Sequence, residues 1–130
     1  MARLILDTDV LIASERSAKS LNRLIADDDD VAIAAITAAE LLAGVRLADD
    51  VHRDQRNAFV RSVLDTIPVE TYDVAVAQAH AELLTQVRRT GRPRGAHDLI
   101  IAATALATNR IVVSADSTAF DDLPGVFVRS

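Results

Sequence analysis

The sequence predicts a three-layer α/β/α protein with a mostly parallel sheet between its helices. Short apolar runs alternate with longer segments of helical periodicity along the 130 residues. Half of the residues are hydrophobic but only 3% are aromatic. The core must therefore consist mainly of Ala, Val, Leu and Ile, which suits helices packed on a sheet. Acidic residues follow several of the strands, at the edge where α/β proteins bind their ligands.

The predicted elements alternate along the chain. Strands are predicted at residues 3–6, 31–35, 67–70, 110–114 and 126–129. Helical segments are predicted at 11–25, 37–48, 51–64, 73–90 and 96–109. The Gly- and Pro-rich stretch between the last two helices is a loop, and Gly91 is predicted to end the helix before it. Strands separated by helices are joined by right-handed crossovers, so helices should cover both faces of the sheet.

The composition excludes several classes of protein. The chain has no cysteine, which leaves no disulfide, no thiol nucleophile and no thiolate metal site. The histidines at 52, 80 and 97 are too scattered for a zinc site. No apolar run reaches the roughly 18 residues of a membrane span, and the N-terminus lacks a signal-peptide pattern. The sequence therefore predicts a cytoplasmic protein, not bound to membranes, with a single domain over residues 1–130.

The charge pattern leaves the mode of any nucleic-acid binding open. The formal net charge of −5 argues against general electrostatic attraction to nucleic acid. A local basic patch is available, since four of the seven residues 88–94 are arginines. The arginines at the carboxyl end of the helix predicted at 73–90 complement the dipole of that helix. Arg92 and Arg94 in the loop, and Arg46 on an earlier helix, are candidates for contacts with RNA phosphates.

Four acidic residues are predicted to meet at the carboxyl edge of the sheet: Asp7, Glu40, Asp98 and Asp116. Each also has a possible role at a helix end. Asp7 could be an N-cap, and Glu40 could form a capping box with Thr37. The other two could be favoured by a helix dipole. Carboxylates at one edge repel each other unless a cation binds among them, and Mg²⁺ and Mn²⁺ prefer such oxygen ligands.

A metal ion bound by carboxylates predicts hydrolysis of a phosphodiester bond. One or two such ions, about 4 Å apart, activate a water and stabilise both oxygens of an in-line displacement at phosphorus. An alternative is a phosphatase of the haloacid dehalogenase type, because "DTD" at 7–9 resembles its Asp-x-Asp motif. That mechanism needs a lysine later in the chain, whereas the only lysine is Lys19. Hydrolysis of a nucleic acid is therefore the preferred prediction.

Four motifs occur in order along essentially the whole chain: "LILDTDVLI", "ITAAELLAG", "HDLIIAATAL" and "IVVSADSTAF". Through the order and spacing of these motifs, the chain resembles PIN domains, and more closely the toxin subunits of VapBC toxin-antitoxin pairs. The resemblance implies a five-stranded parallel sheet and Mg²⁺- or Mn²⁺-dependent endoribonuclease activity, with tRNA or rRNA as the expected substrate. It also implies a homodimer and a cognate VapB-type antitoxin, whose carboxyl-terminal segment binds beside the helices at 11–26 and 37–48.

Carried over residue by residue, the acidic site of the family falls on Asp7, Glu40, Asp98 and Asp116. Ser114 stands where the family has Thr or Ser, a hydroxyl that orients a carboxylate or a metal-bound water. Family members often have a further acid where this chain has Ala119, so the resemblance implies one tightly bound ion and a second that arrives with RNA. Asp9 either tunes the site or caps a helix. A PIN-like domain that binds without catalysis is the remaining alternative.

Two further charged features have structural interpretations. The acidic run at 27–30 is predicted to be a solvated turn before the second strand. His97 is predicted to make a local hydrogen bond, because a metal-bound water needs little help from an imidazole.

Overall fold

The computed structural model describes all 130 residues and contains a five-stranded sheet. The strands are β1 (Arg3–Leu6), β2 (Asp30–Ala34), β3 (Val69–Glu70), β4 (Ile111–Val113) and β5 (Val128–Arg129). The helices are α1 (Thr8–Arg16), α2 (Ala18–Asn22), α3 (Ala35–Leu47), α4 (Arg53–Thr66), α5 (Val74–Thr90) and α6 (Ala96–Thr108), with a 3₁₀ turn at Ser117–Ala119. None of these helices combines the length and the apolar character needed to cross a membrane.

All strand pairs are parallel, in the order β3-β2-β1-β4-β5. Residues alternate between the two faces of the sheet, as a strand requires. Leu4 and Leu6 of β1 pack with α1, α3 and α4, whereas Ile5 between them packs with α5 and α6. All three side chains are fully buried. The predicted fold, a parallel sheet with helices on both faces, is confirmed.

Two helix predictions differ from the structure. The segment at 11–25 forms two short helices, because Ser17 between them has extended backbone angles, φ −152° and ψ 107°. Helix α3 begins at Ala35, and its N-cap is Ala34. Thr37 therefore lies inside the helix, fully buried, and the predicted capping box is wrong. The apolar end of β2 runs directly into α3, so no polar cap precedes the helix.

Only part of the acidic run at 27–30 is a solvated turn, because that prediction is wrong for Asp30, which begins β2, and for Asp29. Its carboxylate accepts hydrogen bonds from the backbone N–H groups of Ala2 at 2.9 Å and Ala26 at 2.8 Å. It also pairs with Arg129 at 3.2 Å. These bonds tie the turn to both ends of the chain, and they lower the pKa of Asp29 below its usual value.

Arg110 joins four strands through one buried guanidinium group. Its Nη1 atom donates to the backbone oxygens of Leu4 at 3.1 Å and Asp30 at 2.9 Å. Salt bridges of 3.1 Å to Asp30 and 3.0 Å to Glu70 complete the cluster. Only 5% of the arginine side chain is exposed. A buried charge needs such partners to offset its lost hydration, so these contacts connect β4 to β1, β2 and β3.

The strand order fixes where a ligand would bind. From the central strand β1 the chain passes to β2 on one side, while β4 lies on the other side. The carboxyl ends of β1 and β4 therefore flank the switch point of the sheet, where open α/β sheets bind their ligands.

Candidate active site

Asp7 lies directly after β1, at the switch point. It occupies the N-cap position of α1, but its side chain makes no capping hydrogen bond. Instead, its Oδ2 atom accepts a hydrogen bond of 2.9 Å from Ser114 Oγ. Ser114 is fully buried and Asp7 is only 5% exposed. The N-cap interpretation is therefore wrong for the side chain of Asp7. This side chain is fixed at the carboxyl edge by Ser114, the residue that follows β4.

Asp98 and Asp116 reach the same edge from the start of a helix and from a loop. Asp98 lies in the first turn of α6, whose N-cap is Gly95. A Cβ atom on Gly95 would lie 2.8 Å from Asp98 Oδ2, so the carboxylate occupies the space that glycine leaves open. Asp116 caps the 3₁₀ turn, accepting bonds from Thr118 N at 3.1 Å and Thr118 Oγ1 at 2.5 Å.

Glu40 reaches the edge from the middle of α3. Its Oε1 atom accepts a hydrogen bond of 2.9 Å from Thr8 Oγ1, and its Oε2 atom lies 3.1 Å from His97 Nδ1. His97 therefore contacts a neighbouring helix rather than a local group. Thr8 also contacts Thr37 Oγ1 at 3.1 Å. The sequence reasoning missed Thr8 and considered Thr37 only as a capping residue, although the three-residue spacing of Thr37 and Glu40 puts both side chains on one helix face.

The acidic side chains lie close enough to influence each other. Burial raises the pKa of Asp7 above its usual value, and the charges of Asp9 and Asp98 add to this effect. The pKa of Asp98 is also raised, first by burial and then by the charges of Asp9, Glu40 and Asp116. The fold therefore brings the four predicted acids together and adds Asp9, which is exposed in the first turn of α1.

The donor set fits a hard divalent cation. It consists of carboxylate oxygens, with no cysteine in the chain, and such oxygens are the preferred ligands of Mg²⁺ and Mn²⁺. A cation would also offset the burial and the repulsion between carboxylates that raise the pKa values of Asp7 and Asp98. No three acidic or histidine side chains lie close enough to bind one ion as they stand.

The loop arginines have partners within the protein. Arg92 Nη1 pairs with Asp122 Oδ2 at 2.6 Å, and Arg94 Nη2 donates to the backbone oxygen of Asp121. These contacts join the loop before α6 to the loop after β4. They favour a structural role for Arg92 and Arg94 over contacts with RNA phosphates. Arg46 is exposed in the last turn of α3. None of these three arginines contacts the acidic residues of the candidate site. Gly91 has φ 66° and ends α5, as predicted.

Comparison with known proteins gives a consistent result. Residues 4–126 match the PIN domain family. Ribonuclease VapC of Rickettsia bellii is 30% identical over 122 residues, which cover 93% of this chain and 90% of the relative. The tRNA(fMet)-specific endonuclease VapC of Shigella flexneri is 27% identical over 129 residues, 97% of this chain and 96% of the relative. The crystal structure of VapBC-5 from Mycobacterium tuberculosis, a member of the VapBC family of toxin-antitoxin systems, has a TM-score of 0.80 and 34% identity, covering 98% of each chain. The chain belongs to the PIN-domain family and, within it, to the VapC ribonucleases.

Proposed function

We propose that this chain is a Mg²⁺- or Mn²⁺-dependent endoribonuclease toxin that cuts tRNA or rRNA until a VapB-type antitoxin binds it. The observation that carries the proposal is the group of mutually repelling carboxylates at the switch point, where burial and neighbouring charges raise the pKa values of Asp7 and Asp98. The tRNA-specific relative from Shigella flexneri makes tRNA the first substrate to test.

The side chains divide the work at this site. A bound divalent ion supplies a polarised water and neutralises charge that develops at phosphorus. The carboxylate of Asp7 is held in a fixed position, because it is buried and accepts a hydrogen bond from Ser114. Asp98 at the start of α6 and Asp116 in the loop after β4 would add ligands. Glu40 stands beside them on α3, held on one side by Thr8.

The haloacid dehalogenase alternative receives no support from the arrangement. Lys19, the only lysine, is exposed on α2. No cationic side chain contacts Asp7 or Asp9, the residues that such a mechanism would use. The inactive PIN-like alternative would lack one of the central acids, whereas all four are present at one edge.

The proposal is tested by incubating antitoxin-free protein with total tRNA and with ribosomal RNA, in Mg²⁺, in Mn²⁺ and in a chelator. The new 5′ ends are then mapped. We expect discrete cuts that disappear in the chelator and fall at least about 100-fold in Asp7→Asn and Asp98→Asn. Asp65→Asn is the matched control, because Asp65 is exposed on α4. Equal cutting by Asp7→Asn and the wild type would show that the assigned site is wrong.

The antitoxin is proposed to bind beside α1 and α3. A cleft of about 710 Å³ lies between the carboxyl ends of these helices and the start of α4. The cleft is lined mainly by charged and polar side chains, with Leu47, 86% exposed, and Ala48 as its apolar members. An extended segment of the antitoxin would bind this cleft through polar contacts and would cover Leu47. The VapBC family membership of the relative from Mycobacterium tuberculosis supports such a partner.

An apolar surface elsewhere on the molecule is proposed as the homodimer contact. A hollow of about 280 Å³ lies between the start of α3, the loop before α5 and α6. It is lined by Ala35, Ile36, Ala39, Tyr72 and Ile100, together with one threonine. Tyr72 is 46% exposed, and exposed apolar hollows of this kind suit self-association.

A further inference from the structure

Two buried threonines connect the end of β1 to the acidic residue of α3. Thr8 is 4% exposed and Thr37 is fully buried. Thr8 Oγ1 lies 3.1 Å from Thr37 Oγ1 and 2.9 Å from Glu40 Oε1. Three oxygen atoms from α1 and α3 therefore lie in one row that ends on a carboxylate of the candidate site.

The direction of the hydrogen bonds in this row follows from the number of protons. Each threonine hydroxyl has one proton to donate, and an ionised carboxylate can only accept. The proton of Thr8 must therefore point to Glu40. The contact between the two threonines then requires Thr37 to donate to Thr8. A hydrogen bond to an ionised acceptor is stronger than a neutral one, which favours this single arrangement.

The two oxygens of Glu40 have different surroundings. Oε1 is bound by Thr8, which is itself buried and contacts the fully buried Thr37. Oε2 contacts His97, whose side chain is 55% exposed. The threonine side is therefore rigid, whereas the histidine can move away when a ligand approaches. Glu40 therefore keeps one oxygen fixed by Thr8, while the other oxygen lies beside His97, the residue that precedes Asp98.

We propose that Thr8 and Thr37 are positioning residues, whose hydroxyls hold Glu40 in the orientation that the divalent ion and the RNA require. This inference rests on the proposed function. Neither hydroxyl touches the reacting atoms. Their effect passes through Glu40, so loss of the hydroxyl should weaken ion binding without removing any carboxylate.

The test measures how Mn²⁺ raises the thermal unfolding midpoint, since an ion that binds only the folded protein stabilises it by mass action. Far-UV circular dichroism and the midpoint without metal establish that each variant is folded. We expect Thr8→Val to raise the Mn²⁺ concentration for half of the shift about tenfold, the size of effect typical when a ligand loses its supporting bond. Thr8→Ser should restore the wild-type value, and Thr37→Val should have a smaller effect.

Thr108→Val is the matched control. Thr108 is partly buried, and its hydroxyl donates only to Thr104 O of its own helix, at 2.7 Å. Its removal should leave the Mn²⁺ response unchanged. In a Glu40→Gln background, Thr8→Val should add no further loss, because both changes act through one group.

The outcomes separate this inference from the proposed function. If the wild type itself does not respond to Mn²⁺, the metal dependence is wrong and the inference fails with it. If the wild type responds to Mn²⁺ and both valine variants respond at the same Mn²⁺ concentration as the wild type, only the inference is overturned. A Thr8→Ser variant as impaired as Thr8→Val would also overturn it, since packing rather than the hydroxyl would then be responsible. If Thr8→Val does not fold, Thr37→Val and Thr8→Ser decide by the same criteria.

Discussion

Ser114 shows how much one hydroxyl can organise at the carboxyl edge. Its oxygen lies 2.9 Å from Asp7 Oδ2 and 3.1 Å from the backbone oxygen of Asp116. The carboxylate is the stronger acceptor of its single proton. The same oxygen accepts from the backbone N–H of Asp116 at 3.0 Å. One serine therefore fixes the side chain of Asp7 and the backbone that carries Asp116.

At the same scale, Asp29 predicts a dependence of stability on acid. Its pKa is lowered because the backbone N–H groups of Ala26 and Ala2 donate to it, and Arg129 adds to the effect. A carboxyl whose pKa is lower in the folded state contributes stability above its unfolded pKa, and loses this contribution as pH falls through the folded value. Asp29→Asn should therefore lower the free energy of unfolding at pH 7, and the difference from the wild type should shrink below about pH 4.

Urea unfolding of both proteins at pH 7, 4 and 3 measures this difference. Asp65→Asn serves as the control at an exposed position of α4. A difference between Asp29→Asn and the wild type that is the same at all three pH values would contradict the prediction.

At the scale of elements, the start of α6 is built around Asp98. Gly95 has φ −59°, which any residue can adopt, so its importance lies in the space beside it. Arg92 and Arg94 anchor the preceding loop to the loop after β4. The first loop leads into the helix turn that carries Asp98 and the second carries Asp116, so this anchoring sets how these carboxylates approach each other.

Gly95→Ala should therefore lower RNA cleavage about tenfold or more, because its Cβ atom would meet Asp98 Oδ2 at 2.8 Å and displace the carboxylate. The loss of stability should stay within about 1 kcal/mol, the usual cost of alanine at an N-cap. Cleavage rates and urea unfolding measure the two effects. Gly44→Ala is the matched control, since its Cβ atom would meet only Arg56 Nη1 at 3.9 Å. Equal cleavage by the two variants would count against this role of Gly95.

At the scale of the whole molecule, β1 organises the fold. It is the central strand, its side chains enter both cores, and its carboxyl end carries Asp7. At the opposite end of the strand, Arg110 bonds to the backbone of Leu4. The stability of the sheet and the position of the site therefore depend on the same strand.

Arg110→Met should destabilise the protein by about 3 kcal/mol, the lower end for breaking a buried pair, because Asp30 and Glu70 keep part of their exposure. Urea unfolding measures this change. Arg3→Met is the control, since Arg3 pairs with Asp30 at 2.8 Å but is 43% exposed. An exposed pair of this kind contributes at most about 1 kcal/mol. The expectation fails if the two variants lose equal stability.

The proposed homodimer is tested at the apolar hollow around Tyr72. Tyr72→Glu should convert a dimer into a monomer, because a carboxylate cannot be buried there without a partner. Sedimentation velocity measures the assembly state. Val51→Glu places the same charge at an exposed apolar position outside the hollow, 83% exposed in the wild type, and should leave the dimer intact. A wild-type chain that sediments as a monomer would rule out the dimer itself.

The sequence by itself determined the order of the elements, the parallel sheet and the four acids at its edge. These follow from local signals: apolar periodicity predicts helices and strands, and parallel strands bring their carboxyl ends to one edge. Gly91 as the end of α5 is a signal of the same local kind.

Only the tertiary structure decided which side chains support those acids. Thr8 and Glu40 are 32 residues apart, and Asp7 and Ser114 are 107 apart. The partners of Arg92 and Arg110 are likewise distant in sequence. Such contacts depend on how rigid helices pack against the sheet, with tolerances of a fraction of an ångström, and no local pattern encodes that packing. The sequence could therefore name the carboxylates and, through the family resemblance, Ser114. The hydroxyls of Thr8 and Thr37 and the space at Gly95 became visible only in the folded chain.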